Sequence, residues 1–521
     1  MKKLLIALLA FTLTAPVIQA QNKSYSDIKD VYLQNVRPII DNGVVTGYSL
    51  FYFLDKVNKK ENAYSLHILD NNLKETHAVE ITRPTSSVMI ESSFNGENFC
   101  FSFLDQNKKT MEYLILDKQG EEVGSYKVSD VNKWEIMSLA QQSEGGSYPG
   151  LAAVPGKGFL RYGVDNKAKG TKSELVMFDN SGKKEWTASS GSGDDYKWEG
   201  AYPMQMNENT IVTMIMAKEK LMSMKFDTYI LFTDVETGEQ VARIESKDAK
   251  YARAPIGVSY DAGRKEYFIY GEYFLPKDNT IKDKSQGFYF ATYDAKGVLQ
   301  KQGYSSWTKD IATKVPMGKN GKFDDNTNVT IHKMIRTADG KIFAIGEQFK
   351  KVVSGGAVAL NMLAAASGNV DSDVSNVKIE LHDMMIFEFD ENLKIKKVQV
   401  VDKDKTNVLL AKGMGMYGAS FLAFYLKMTG DFNYAFTSVS PDAKTFNSAY
   451  VNFDKDKETG RNYLIGNIAY NKEQKITIDK IKLTTKPTWF NALPAKPGYI
   501  VIFEYFKKEK KIDIRLEKLN L

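Results

Sequence analysis

From Gln21 onward the chain is written in short runs that alternate apolar and polar residues. Examples are 48–54 (YSLFYFL), 98–104 (NFCFSFL), 266–270 (EYFIY), 341–345 (KIFAI) and 499–505 (YIVIFEY). Aromatic and β-branched residues recur at period two, and Gly, Asn, Asp and Lys separate the runs. That is the pattern of half-buried strands. Long amphipathic helix patterns are almost absent, so the fold class predicted is all-β.

The turns repeat as well. An apolar strand ends in Asp, two or three residues follow, usually with Gly or Asn, and another strand begins: LHILDNN (Asp70), LILDKQG (Asp117), VMFDNSG (Asp179), LFTDVETG (Asp234), ATYDAKG (Asp294), FEFDEN (Asp390) and VNFDKDKETG (Asp454). The aspartates are 47, 62, 55, 60, 96 and 64 residues apart. Asp accepts from N–H groups of its own turn, and Gly or Asn takes the positive-φ place. Seven such turns at a loose period near sixty predict a β-propeller of four-stranded blades. Blades are expected at 31–82, 86–129, 147–189, 198–247, 252–306, 328–402 and 417–484. The final unit, 488–521, has room for three strands, and residues 25–33 are the expected fourth. Such a closure makes eight blades and removes open sheet edges; seven is the alternative if the tail packs as an appendage. The 96-residue interval contains an insertion, 352–373 (VVSGGAVALNMLAAASGNVDSD), read either as a lid or docking element or as a loosely packed excursion.

VMFDNSGKKEW (176–186) and LFTDVETGEQ (231–240) resemble the outer hairpin of quinoprotein-type and WD-repeat propellers, where a D-x-x-(T)-G turn is often followed by Trp. Only Trp186 supplies that Trp, and the paired cysteines of quinone-dependent dehydrogenases are missing. The resemblance therefore implies the fold and not the cofactor. Richness in Lys, Asn, Tyr and Ile also resembles exported proteins of Bacteroidetes-type bacteria.

The first twenty residues stand apart. Lys2 and Lys3, a twelve-residue apolar core (4–15) and a short end at Ala20 read as a secretory signal peptide. Twelve residues are too few to span ~30 Å of hydrocarbon as a helix. The remainder, 21–521, is expected to be one domain, exported to the periplasm or beyond, monomeric and without a transmembrane segment. The single cysteine, Cys100, is far from the cleavage point, so a lipid-modified N-terminus is not expected. One thiol also excludes a disulfide framework, and four dispersed histidines exclude HExxH-type metal motifs. The chain carries 70 Lys+Arg against 64 Asp+Glu. Lysines far outnumber arginines, which suits solubility better than planar, bidentate recognition.

No motif carries chemistry outright. A P-loop, a GxSxG elbow and a strand-following GxGxxG are all missing, and SxxK at 181–184 and 306–309 is commonplace among so many lysines. His332 and His382 fall in one predicted blade without a further ligand. Asp402/Asp404 and Asp454/Asp456/Glu458 have calcium-loop spacing, but interleaved lysines make a solvated turn the better reading. No cofactor and no metal are expected. Residues that open predicted inner strands are the binding candidates: Arg37, Trp198, Tyr202, Tyr251, Arg253, Trp489 and Phe490. They would rim one end of the channel, where aromatic faces stack on sugars and Arg holds carboxylates; packing between blades is the alternative.

Charge placement is the most informative signal. In a propeller the loops between second and third strands share a face with the loops between blades. Summed over the predicted blades, the former carry +11, while the outer turns on the opposite face carry −7. Such a polarised disc suits an anionic partner. Lys218, Lys220 and Lys225 in the fourth blade, with Lys507, Lys508, Lys510 and Lys511 in the last, carry that expectation; a coat of solubilising lysines is the alternative. The reading is a non-enzymatic exported scaffold binding an envelope protein or glycan, with no nucleic acid. The alternative is a carbohydrate-active enzyme at the channel mouth, for which Glu199 and Asp30 are available carboxylates.

Overall fold

The computed structural model describes residues 21–519 except 30–35, 42, 134, 137–138, 140–149, 166–169, 190–194, 319–320, 354, 356–373, 457–459 and 484–486. The expected leader, most of the 352–373 insertion, Asp30 and Glu458 lie outside the described residues. Eight antiparallel sheets form the blades of a β-propeller; in the first seven the four blade strands follow the order of the sequence, and a fifth strand, Thr406–Ala411, pairs beside Val374–Phe389 in the sixth. Blades 1 to 7 occupy 36–84, 87–128, 151–189, 198–245, 252–306, 328–401 and 434–482. Blade 8 takes three strands from 489–518, and Asn22–Tyr25 pairs with Lys511–Lys518 to complete it.

The aspartate turns explain the spacing. At Asp70, Asp117, Asp179, Asp294 and Asp390, one carboxylate oxygen accepts the N–H groups two and four residues on, at 2.8–3.0 Å. Asp234 accepts instead the N–H groups two and three residues on, of Glu236 and Thr237. Glycines 120, 182, 238 and 297 take the positive φ there, but Leu73 and Leu393 take it in the first and sixth blades. Both leucines are buried, so core packing compensates a conformation that Leu otherwise avoids.

Each turn also locks its blade to the one before. A Cβ on Gly120, Gly182, Gly238 or Gly297 would collide with Val79, Ser125, Trp186 or Ala242, all on the outer strand of the preceding blade. In the sixth blade the fit is inverted: Leu393 is the knob, and Gly303 on the preceding outer strand leaves room for it. Between blades, core clusters mix the facing sheets, as where Phe51 of blade 1 stacks on Phe101 of blade 2 at 4.7 Å.

Two expectations are corrected. The closing strand is Asn22–Tyr25, not 25–33: after Tyr25 the chain turns through Asp27 at φ 61°, and Ile28 docks on the carbonyl of Lys510. Blade 7 begins at Tyr434, not at 417, because Ala419–Thr429 is an α-helix. The run ASFLAFYLKMT contains no breaker and ends on Gly430 at φ 71°, whose N–H returns to the Leu426 carbonyl. Asp454 therefore belongs to a second strand, Phe446–Asp456, and the outer turn of blade 7 is built on Asn471, which accepts from Glu473 and Lys475. The outer turn that replaces the Asp454 segment, 471–475 (NKEQK), carries +1, which makes the outer-turn sum −6 instead of −7.

Candidate functional site

The helix Ala419–Thr429 enters the ring against the inner strands of three successive blades. Phe424 meets Tyr202 of blade 4 edge-on at 5.1 Å, and Phe421 stacks on Phe226 at 6.1 Å. Leu422, Ala423 and Leu426 join the core shared by blades 5 and 6. Lys427 donates to the carbonyls of Ile256, Ile331 and His332 at 3.1–3.2 Å and lies against the Tyr270 ring. Burial, followed by repulsion from Lys333, pulls its amine down to about 7. The folded chain thus releases a proton that the unfolded chain keeps up to the ordinary lysine range. Stability should therefore rise with pH above about 7, by up to about 1.4 kcal/mol per pH unit for this one group. Urea unfolding of Lys427→Met at several pH values should show that component of the slope gone; equal slopes in both proteins would refute the assignment.

Where the helix starts, a cleft of about 240 Å³ opens between blades 5 and 6. Trp307, Phe323 and Val329 form its apolar wall, and Trp307 Nε1 donates to Ser285 Oγ at 3.0 Å. Gly418, Ala419 and Ser420 bring the first turn of the helix to it, with the partial positive charge of that end. Ser420 donates to Glu272 at the floor, and burial raises the Glu272 carboxyl above its usual range. Cations stand around that acid in the lining of the cleft.

Those cations are Lys282, Lys284, Lys322 and Lys351. The Lys322 amine is lowered, first by burial and then by repulsion from Lys284, Lys350 and Lys351. Lys351 also donates to the carbonyls of Gly415 and Tyr417, tying the second-to-third-strand hairpin of blade 6 to the approach of the helix. Of the carboxylates, Asp283 sits on the rim, where it accepts the Asn279 N–H at 2.6 Å. The arrangement concentrates positive charge around a concave, partly apolar space. Among the described residues, no group of three or more His, Cys, Asp or Glu could hold a metal ion.

A family model described as a family of unknown function, DUF6770, matches residues 1–520. The chain belongs to the DUF6770 family. No curated protein is similar enough to match. Among solved structures, this DUF6770 chain is similar to the β-propeller domain of the Trilobed protease from Pyrococcus furiosus, at 11% identity and TM-score 0.31 over 72% of this chain and 96% of that one. It is also similar to the WD40 domain of SCAP from fission yeast, at 9% identity and TM-score 0.25, over 84% and 96% of the two chains. Polysaccharide lyase Uly1 follows at 9% identity and TM-score 0.31, over 98% and 95%.

The predicted site residues are scattered around the ring. Trp198, Tyr202 and Lys218 do come together, but around the helix: Trp198 meets Phe226 edge-on, and the Lys218 amine lies 4.4 Å from the Phe226 ring. Tyr251 packs on Tyr273 and Tyr304, and Arg253 bonds Tyr304 and pairs with Asp248 at 2.8 Å. Trp489 packs on Phe503 and Phe490 on Tyr463. Arg37 keeps contact with solvent although protein surrounds it, and desolvation lowers its guanidinium. Glu199 is buried and paired with Lys172 at 2.7 Å.

Lys220 and Lys225 sit exposed on the hairpin tip of blade 4, and Lys507, Lys508 and Lys510 on that of blade 8. Lys511 pairs with Asp513. Three blades separate the two tips on either side in a ring of eight, so they lie on opposite sides of the disc and cannot form one site.

His332 is buried and stacked on Tyr434, beside Glu347, which also holds the buried Lys403 of the DKDK run. His382 is buried in the same blade, its Nε2 3.8 Å from Glu380.

Sequence reasoning missed the cleft. Its lysines come from the tip of blade 5, the connection 307–327 and the tip of blade 6, and no linear spacing links them. The one available signal was Gly418 and Gly430 bracketing an uninterrupted eleven-residue run.

Proposed function

We propose that this protein is a non-enzymatic, exported binding scaffold of a bacterial envelope that captures an acidic glycan, with the lysine-lined cleft between blades 5 and 6 as its seat. The observation that carries the reading is the gathering of Lys282, Lys284, Lys322 and Lys351 about a cleft of about 240 Å³. Like charges gathered without an equal number of carboxylates are relieved by a bound anion, and Trp307, 8% exposed in the wall, leaves a small apolar contact for a sugar ring. The cleft also lies on the face that carries the positive hairpin tips. Against a glycan-cleaving enzyme at the channel mouth stand the helix Ala419–Thr429, which packs there, and the pairing of Glu199 with Lys172.

The test is a titration with an oligogalacturonate and with a neutral oligosaccharide of equal length, at low and at physiological salt. Binding is expected for the acidic ligand alone and should weaken as salt rises, because charges are screened beyond ~8 Å at physiological ionic strength. Lys322→Glu or Lys284→Glu should each weaken it by about tenfold or more, the loss of a charge-assisted hydrogen bond. Lys507→Glu, across the disc, should leave it unchanged. Affinity indifferent to salt and to both cleft variants would sink the proposal.

A further inference from the structure

Among the described residues, the most exposed large apolar side chains gather on one arc, while Val57 at 53% and Val298 at 54% lie elsewhere. Met222 is 94% exposed, Val353 72%, Leu409 63%, and Leu221 and Met416 61% each, the five largest values among the exposed large hydrophobics. All five lie on one arc of the disc, together with Leu275. Leu221 and Met222 form the hairpin tip of blade 4, Leu275 opens that of blade 5, and Val353 ends the second strand of blade 6. Leu409 lies on Thr406–Ala411, the fifth strand laid against the projecting part of Val374–Phe389, and Met416 precedes the channel helix.

Contacts join these pieces into one surface. Asn279 of the blade 5 tip donates to the Met224 carbonyl of the blade 4 tip at 3.2 Å. Gly418 donates to Ile281 of the blade 5 tip at 2.8 Å, and Lys351 of the blade 6 hairpin bonds the carbonyls on either side of Met416. None of the six apolar residues lines the cleft.

Lysines flank four of them. Lys220 and Lys225 bracket Leu221–Met222, exposed Lys277 follows Leu275, and Lys350 stands three residues before Val353. A protruding Leu-Met pair held between cations is poorly suited to water. It suits a lipid surface, whose acyl boundary takes the apolar tips while the phosphates meet the ammonium groups.

We propose that the tips of blades 4, 5 and 6 dock on an anionic lipid leaflet, with Leu221, Met222, Val353 and Met416 entering the headgroup boundary and Lys220, Lys225 and Lys277 engaging lipid phosphates. The proposal uses residues outside the cleft, so it stands or falls separately from glycan binding.

The test is co-sedimentation of the chain from Gln21 onward with phosphatidylcholine vesicles and with vesicles containing phosphatidylglycerol. Starting at Gln21 keeps the apolar leader out of the measurement. Binding is expected to the anionic vesicles only. The double variant Leu221→Ser/Met222→Ser should weaken it by about tenfold or more, since two large apolar side chains lose their burial. Lys220→Glu/Lys225→Glu should weaken it similarly, while Val298→Ser, an equally surface-lying apolar residue on the opposite face, should change nothing. Oligogalacturonate binding should survive both double variants. Equal binding to neutral vesicles, no binding to either, or self-association of the free chain that Met222→Ser abolishes would each overturn the proposal; the last would make the patch a contact between copies.

Discussion

A chain lacking residues 21–28 should fail to hold its ring closed, and should aggregate or melt many degrees below the intact protein. Asn22–Tyr25 is the outer strand of blade 8, in register from Asn22 opposite Arg515 to Tyr25 opposite Ile512. Tyr25 is buried, its hydroxyl donates to Glu75 of blade 1 at 2.9 Å, and its ring lies 4.5 Å from that of His67. Ile28 is wholly buried. The segment therefore joins the last blade to the first as well as completing a sheet. Losing two large buried side chains costs roughly 1.5–3 kcal/mol each. Several ladder hydrogen bonds go with them, at about 1 kcal/mol apiece. A loss of about 5 kcal/mol or more is comparable with the whole stability of many domains. The deletion also exposes the edge of Lys511–Lys518, a template for pairing with another chain. Thermal unfolding followed by circular dichroism, with size-exclusion chromatography, reads both effects. A deleted chain that stays monomeric and melts within two or three degrees of the parent would show that the closure is dispensable.

The second large effect belongs to Gly238→Ala. Gly238 sits at φ 72°, and a Cβ there would lie 2.6 Å from Cε3 of Trp186 on the preceding blade. The ring cannot retreat cheaply, because its Nε1 donates to the Val235 carbonyl at 2.9 Å. Left-handed backbone costs a residue with a Cβ about 1–2 kcal/mol, and overpacking adds about 1–3 kcal/mol. A total near 3 kcal/mol is expected. Gly96 provides the control, since it stands at φ 97° with nothing within 4 Å of a built Cβ. Gly96→Ala should show the backbone part alone, about 1–2 kcal/mol. Urea midpoints for the two variants measure the difference directly. Equal losses would mean that the blade-to-blade contact at Trp186 contributes nothing.

The repeat was legible because its chemistry is local. An Asp that accepts two N–H groups of its own turn needs no partner elsewhere, so six of the seven turns could be read directly from the chain. The seventh was displaced because Asn471 accepts as well as Asp does, while Asp454 ends a strand by coincidence. The helix was misread for a related reason. FLAFYL is apolar at both strand and helix spacing, and only the neighbours it meets in the folded ring decide between the two. Leu73 and Leu393 at positive φ are invisible to turn rules, since burial compensates what the backbone alone disfavours. The imbalance of charge between faces needed only the strand order and could be read. The cleft needed the distance between Lys322 in one connection and Lys284 and Lys351 on two separate tips, which no spacing encodes. The candidate aromatic residues at strand openings, such as Trp198 and Tyr251, were recognised as a class, but which faces stay open depends on neighbours such as Phe226 and Tyr304.

The central claim is that the positive face of blades 5 and 6 holds an anion in the cleft beside the channel helix. A crystal structure of the protein with a short oligogalacturonate measures this most directly. The account predicts ligand density between Lys284, Lys322 and Lys351, with a sugar carboxylate turned to those amines and a ring against Trp307. Density on the outer turns of the opposite face, or in the channel between the inner strands, would contradict it.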